Sequence, residues 1–116
     1  VESTTFLDIS ESLDRLAGDK ELLIRLYELF SIDAPKKLSE IHHFSDKGEL
    51  YQLERTAHSL KGAAATVGAT QLHVLALHLE QAAKAQDMDQ VSLLCNELDL
   101  VCSQTLKAMR TYNASP

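Results

Sequence analysis

No apolar run in this 116-residue chain approaches the ~18 residues that a membrane-spanning helix needs, and no secretory signal pattern opens it. Glycine and proline are scarce, at four and two residues, so nothing reads as a Gly/Ser/Pro-rich linker, a repeat or a low-complexity tract. The glycine-rich segments of an ATP-binding domain are missing, as is the length for one, so the chain is not expected to phosphorylate itself. Basic residues are outnumbered, 11 against 17 acidic, and the net charge of −6 argues against a general nucleic-acid surface. The two cysteines, Cys95 and Cys102, are seven residues apart on what reads as one helix. At 1.5 Å per residue their Cα atoms would be ~10 Å apart, too far for a disulfide within the chain. They read as core residues of a reducing compartment. One domain is expected over 1–116, with an ordered core from about residue 8 to 112.

What is present is helical periodicity. Residues 1–7 read as a loosely held end, with Phe6 and Leu7 lying against the rest. Asp8 with Glu11 makes a capping-box-like start to a short helix whose narrow stripe is Ile9, Leu13 and Leu16 and which Gly18 closes. Asp19 caps a long element from about Lys20 to Phe44, with Leu23, Tyr27, Phe30, Ala34, Leu38 and Ile41 in one phase. Pro35 removes an amide without shifting that phase, so a kink is expected there; a break recapped by Asp33 is the rival. Ser45 and Asp46 read as stop and restart, and the next helix should run from about Lys47 to Val67 with Gly68 as its C-terminal cap. Thr70 reads as the cap of a helix over about Gln71–Ala85, with Leu72, Leu75, Leu79 and Ala83 inward. Asp87, with Gln90 three on, caps the last helix, whose seam is Val91, Leu94, Leu98, Val101, Thr105 and Met109. Asn113 to Pro116 are expected to fray. The sum is an all-α, antiparallel up-down four-helix bundle with a short N-terminal covering helix.

The stretch 57–69, AHSLKGAAATVGA, stands apart. Leu53, Ala57, Leu60, Ala64 and Val67 share one face, which should be buried. His58 falls off that face, with Arg55 a turn before it and Lys61 and Gly62 a turn after. Glycine in mid-helix costs about 1 kcal/mol against alanine. Here Gly62 opens a bare patch that Ala63, Ala64 and Ala65 continue, as if a large partner must come close. A free imidazole, with an ordinary pKa near ~6.5, is largely uncharged and nucleophilic at neutral pH. Such a ring can accept a phosphoryl group as a covalent intermediate. Lys61 would offer positive charge to the phosphoryl oxygens.

These residues resemble the signature of the histidine-containing phosphotransfer domains of multistep phosphorelays: histidine, two residues, lysine, glycine, small residues and a second glycine. The matching positions are His58, Lys61, Gly62 and Gly68, and the helical pattern is similar from about Asp8 to Tyr112. The resemblance implies a phosphorelay intermediate, with His58 accepting a phosphoryl group from a receiver-domain aspartate and passing it to another receiver. Receivers of response regulators or of a hybrid kinase would be the partners, meeting Arg55, Ser59, Gly62 and Ala65 around the histidine. No cofactor or metal is expected on this chain, because it shows no hard-cation cage; Mg2+ would belong to the receiver. The domain is expected to be a cytoplasmic monomer without nucleic-acid or direct membrane contact. The start at Val1 without Met favours a module cut from a larger hybrid sensor kinase over a free protein. The resemblance implies the C-terminal module of such a kinase, whose parent would sit in the inner membrane.

One hairpin adds a residue. His58 lies eleven residues before Ala69 and Glu80 eleven after it, so an antiparallel pair turning near Ala69 sets them at one height. Glu80 could then accept a hydrogen bond from one ring nitrogen and leave the other as nucleophile, with Gln81 as the substitute if the facing is off by one. Many family members have glutamine at the corresponding position; glutamate adds charge.

Blander readings stand beside these. His42, His43, His73 and His78 read as surface residues of no consequence. Lys61 alone would be a solvated lysine, Arg55 is balanced between contact and solvation, and the alanines could serve helix packing. An interaction scaffold with an inert histidine is the alternative function, opposed by the intact lysine and glycine. A sensor kinase's dimerisation and phosphoacceptor domain should show an acidic residue after the histidine and a proline soon after, where this chain has Ser59 and no proline between Pro35 and Pro116. A carboxylate-bridged metal bundle needs two Glu-x-x-His pairs, and only Glu40 with His43 has that spacing.

Overall fold

The computed structural model describes residues 6–115, and among them the regular structure is all helical. The helices are α1 (Ile9–Arg15), α2 (Lys20–Lys47), α3 (Leu50–Thr66), α4 (Thr70–Lys84) and α5 (Met88–Ala114). α2 packs on α3, α3 on α4, α4 on α5 and α5 back on α2, closing a four-helix bundle with extents of 45 × 22 × 21 Å. α1 is the short covering helix. The core runs down the middle through Leu23, Tyr27, Ile41, Leu53, Leu60, Leu72, Leu79, Val91, Leu98 and Met109, all without exposed surface.

α1 begins where its cap pair lies: the Asp8 carboxylate accepts from the Glu11 amide at 3.0 Å. Leu7 just before it is fully buried and Phe6 half-buried, while residues 1–5, also expected to form the loose end, lie outside the described residues. α1 is tied to the turn between α3 and α4. The Asp8 amide donates to the Gly68 carbonyl at 2.9 Å, and Arg15 Nη2 donates to the carbonyls of Ala65 and Thr66 at 3.3 and 3.1 Å. Both carbonyls lie in the last turn of α3, past the reach of helical amides. Ala65 also accepts from the Gly68 amide at 3.2 Å, so the guanidinium is a second donor there and serves the Thr66 carbonyl as well.

α2 starts on Asp19, whose carboxylate accepts from Leu22. It continues through Pro35 as one helix, so the break recapped at Asp33 does not occur. The buried stripe explains the continuity: Leu23, Tyr27, Phe30, Ala34 and Ile41 hold one phase on both sides of an exposed proline. The expected stop at Ser45 and Asp46 is wrong by two residues. α2 runs to Lys47 and ends on Gly48 at φ +69°, with the Glu49 amide returning to the Phe44 carbonyl at 2.9 Å. That is a Schellman ending, whose left-handed residue is normally glycine. Asp46 is therefore inside the helix, and α3 starts at Leu50 rather than Lys47.

The same device ends α3. Gly68 sits at φ +69°, and the Ala69 amide donates to the Ala64 carbonyl at 2.9 Å. With Gly68 and Ala69 inside this turn, α4 restarts at once. Ala69, fully buried, is its N-cap, and Thr70, expected to cap, is the first helical residue with no side-chain cap bond made. On α4, Leu72, Ala76, Leu79 and Ala83 are buried and the expected Leu75 is only half-buried.

α5 starts on Asp87, which accepts from the Gln90 amide at 3.2 Å. Val91, Leu94, Leu98, Thr105 and Met109 of its expected seam are buried, Val101 partly so. Cys95 and Cys102 are free and buried beside that seam. Burial pushes both thiols up, Cys102 to about 11, which keeps them unreactive near neutrality. The expected fraying from Asn113 does not occur in the described part. The helix runs to Ala114, Asn113 Nδ2 donates to the Ile24 carbonyl at 3.4 Å, and Tyr112 meets Tyr27 edge-on at 5.5 Å. Those contacts tie the end of α5 to α2; Pro116 lies outside the described residues.

Candidate functional site

α3 turns Leu53, Ala57, Leu60 and Ala64 into the core, and this fixes what faces outward. His58 lies on the outer face with its side chain 64% exposed. Arg55 and Ser59 are exposed around it, as are Gly62 and Ala65 towards the C-terminal end of the helix. A Cβ built on Gly62 would have nothing within 4 Å, so the bundle does not use this glycine for packing. Ala64 is the buried member of the alanine run, Ala63 is half-buried and Ala65 is open.

The hairpin at Gly68 brings α4 beside this face. Glu80, its side chain only 12% exposed, meets both functional candidates on α3. Its Oε2 is 2.9 Å from His58 Nδ1, and its Oε1 accepts from Lys61 Nζ at 2.7 Å. Gln81, the next residue, is exposed, and the contact with His58 is made by Glu80. Glu54 and Lys84, each fifteen residues from Ala69, form a looser pair at 3.9 Å in the same register.

The carboxyl of Glu80 is held below its ordinary range. The hydrogen bond from Lys61 is the largest cause and the bond to His58 adds to it, while burial works the other way. An ionised Glu80 can only accept, so Nδ1 of His58 must carry the hydrogen and donate. In the uncharged ring this leaves Nε2 with the lone pair. That nitrogen makes no hydrogen bond among the described residues. The arrangement therefore offers one exposed, oriented nucleophilic nitrogen beside one ammonium group.

Two of the histidines expected to be inconsequential have partners. His73 Nδ1 donates to the Lys61 carbonyl at 3.1 Å, pinning α4 to α3 directly under the site. His42 Nε2 lies 2.8 and 2.9 Å from the two oxygens of Asp99, linking α2 to α5. His73 lies four residues after Ala69 and Lys61 eight before it, so their contact runs diagonally across the hairpin. Equal spacing about the turn, which pairs His58 with Glu80, does not find it.

Comparison with known proteins gives the family. A family model described as the Hpt domain matches residues 25–109, from within α2 to within α5. The chain belongs to the Hpt domain family. Comparisons with curated proteins and with solved structures found no match. Hpt domains serve histidine phosphotransfer in two-component signalling, and their partners are receiver domains. The match covers the whole of α3 and α4, and so every residue of the His58, Lys61 and Glu80 cluster, while α1 lies outside it. Among the described residues of this Hpt domain, no helix is long and apolar enough to cross a membrane.

Proposed function

We propose that this Hpt domain carries a phosphoryl group on His58, taking it from the aspartyl phosphate of one receiver and giving it to the aspartate of another. The observation that supports this best is the exposed His58 ring with Nδ1 engaged by Glu80 at 2.9 Å. In the transfer, the Nε2 lone pair attacks phosphorus, an N–P bond forms, and the P–O bond to the receiver's aspartate breaks. The electron pair of that bond leaves with the carboxylate, and the Nδ1 hydrogen stays directed at Glu80. Donation to the second receiver is the reverse sequence with a new carboxylate. Lys61 is the nearby cation for the phosphoryl oxygens. Arg55, Ser59, Gly62 and Ala65 form the ground on which the receiver rests. The metal ion that assists phosphoryl transfer belongs to the receiver's acidic site, and the domain works on the cytoplasmic side as a monomer.

Incubation with a phosphorylated receiver tests the reading. Label should appear on this chain in an acid-labile, alkali-stable form; label that is absent, or that is stable to acid, would overturn it. Lys61→Ala should slow acceptance about tenfold without abolishing it, less than the ~10²–10³ for loss of a donor in a water-excluded site, because the lysine is partly exposed. Single-turnover transfer kinetics would measure this, and an unchanged rate would remove Lys61 from the mechanism.

A further inference from the structure

The cluster contains one ammonium group and two claimants for it. Lys61 Nζ donates to Glu80 Oε1 at 2.7 Å, with the lysine side chain 23% exposed and the glutamate 12%. The same carboxylate holds the His58 ring through its other oxygen. Lys61 and Glu80 together carry no net charge, so the cluster is neutral before any phosphoryl group arrives. A phosphoryl group on His58 brings up to two negative charges to the ring one turn before Lys61, one of them offset while Nδ1 keeps its hydrogen. The lysine stem is flexible and its head is a point charge that can turn from one anion to another.

The surrounding charges do not remove the conflict. On α3, Arg55 is exposed and makes no ion pair among the described residues, while Glu54 is engaged by Lys84 of α4 at 3.9 Å. His73 of α4 faces the Lys61 backbone, not its ammonium. Glu80 is therefore the anion in contact with Lys61 at this site.

We propose that Glu80 competes with the phosphoryl group for Lys61 and so sets how readily phospho-His58 gives its phosphoryl group away. The inference rests on His58 being the carrier. With Glu80 ionised, the lysine is drawn away from the phosphoryl oxygens and the carboxylate adds repulsion of its own. Phospho-His58 is destabilised relative to the receiver's aspartyl phosphate, and the domain empties rather than stores. Glu80 acts here chiefly through Lys61 and is a positioning residue.

Glu80→Gln separates the two tasks, because the amide oxygen can still accept from Nδ1 while the charge is gone. The readout is the equilibrium ratio of phospho-His58 to phosphorylated receiver, reached from either side. That ratio depends on the relative free energies of the end states, so a variant that merely slows transfer leaves it unchanged. The expected result is a rise of about fivefold to tenfold in Glu80→Gln, as for an electrostatic interaction at a partly exposed site. In a Lys61→Ala background the same substitution should give only the smaller rise that direct repulsion leaves, about twofold or less, which is the double-mutant test of competition. An unchanged or lower ratio in the single variant would overturn the inference, and so would a full-sized rise without Lys61. Absence of label on the unsubstituted chain would instead sink the carrier reading itself.

Discussion

Gly62→Leu should keep the bundle folded and slow phosphoryl transfer by about a hundredfold. The two halves of this result have separate causes. A Cβ at this position meets nothing within 4 Å, so the new side chain enters open space. Replacing a mid-helix glycine also removes a local cost of about 1 kcal/mol. The melting temperature should therefore hold or rise by a few degrees. Position 62 is one turn beyond His58, and side chains on a helix lean towards its N-terminus. The leucine would tilt towards the ring that the receiver must reach. Reacting atoms need to approach within ~3–3.5 Å, and a misplacement of about 1 Å can cost ~10²-fold. Thermal melts and transfer kinetics on one preparation would check both halves. Normal transfer would remove the close-approach account of Gly62, and unfolding would contradict its open surroundings.

Gly68→Ala should have the opposite profile, a large loss of stability. Gly68 is at φ +69°, where a side chain costs about 1–2 kcal/mol. The added Cβ would also lie 2.5 Å from Ser12 Oγ and 3.1 Å from the Asp8 carbonyl. The hydroxyl can rotate, but the carbonyl belongs to the backbone that starts α1 and cannot move without disturbing the Asp8–Gly68 bond. Backbone strain and overpacking together should cost about 2–4 kcal/mol. Gly48→Ala is the matched control, since its φ is also +69° but its Cβ would meet nothing within 4 Å. Chemical denaturation of both variants should show Gly68→Ala as the more destabilised. Equal losses would mean that α1 does not press on the turn.

Much of the fold and of the site is legible in the residues themselves. Leu23 to Ile41 keep a helical phase through Pro35, and the phase is the stronger signal because one lost amide bond is small against a buried stripe. Equal spacing about Ala69 finds Glu80 because antiparallel helices pair by height. The misses at the helix ends share a cause. Ser45, Asp46 and Thr70 have capping chemistry, yet the chain turns on Gly48 and Gly68, whose left-handed backbone closes one helix and aims the next. Backbone geometry decides there, and side-chain chemistry does not report it. Asn113 reads as part of a frayed end because its acceptor on Ile24 lies 89 residues away in sequence. The His73–Lys61 and Lys61–Glu80 bonds escape the sequence as well, because they depend on reach across the α3–α4 hairpin rather than on position along it.

The central claim is that one exposed imidazole ferries a phosphoryl group between two carboxylates. A reconstituted relay tests it most directly: a labelled donor receiver, this domain, and an acceptor receiver that takes no label from the donor alone. With the unsubstituted domain, label should reach the acceptor. With His58→Gln, folded to the same melting temperature, label should stay on the donor. Passage through the His58→Gln domain at the unsubstituted rate would contradict the account.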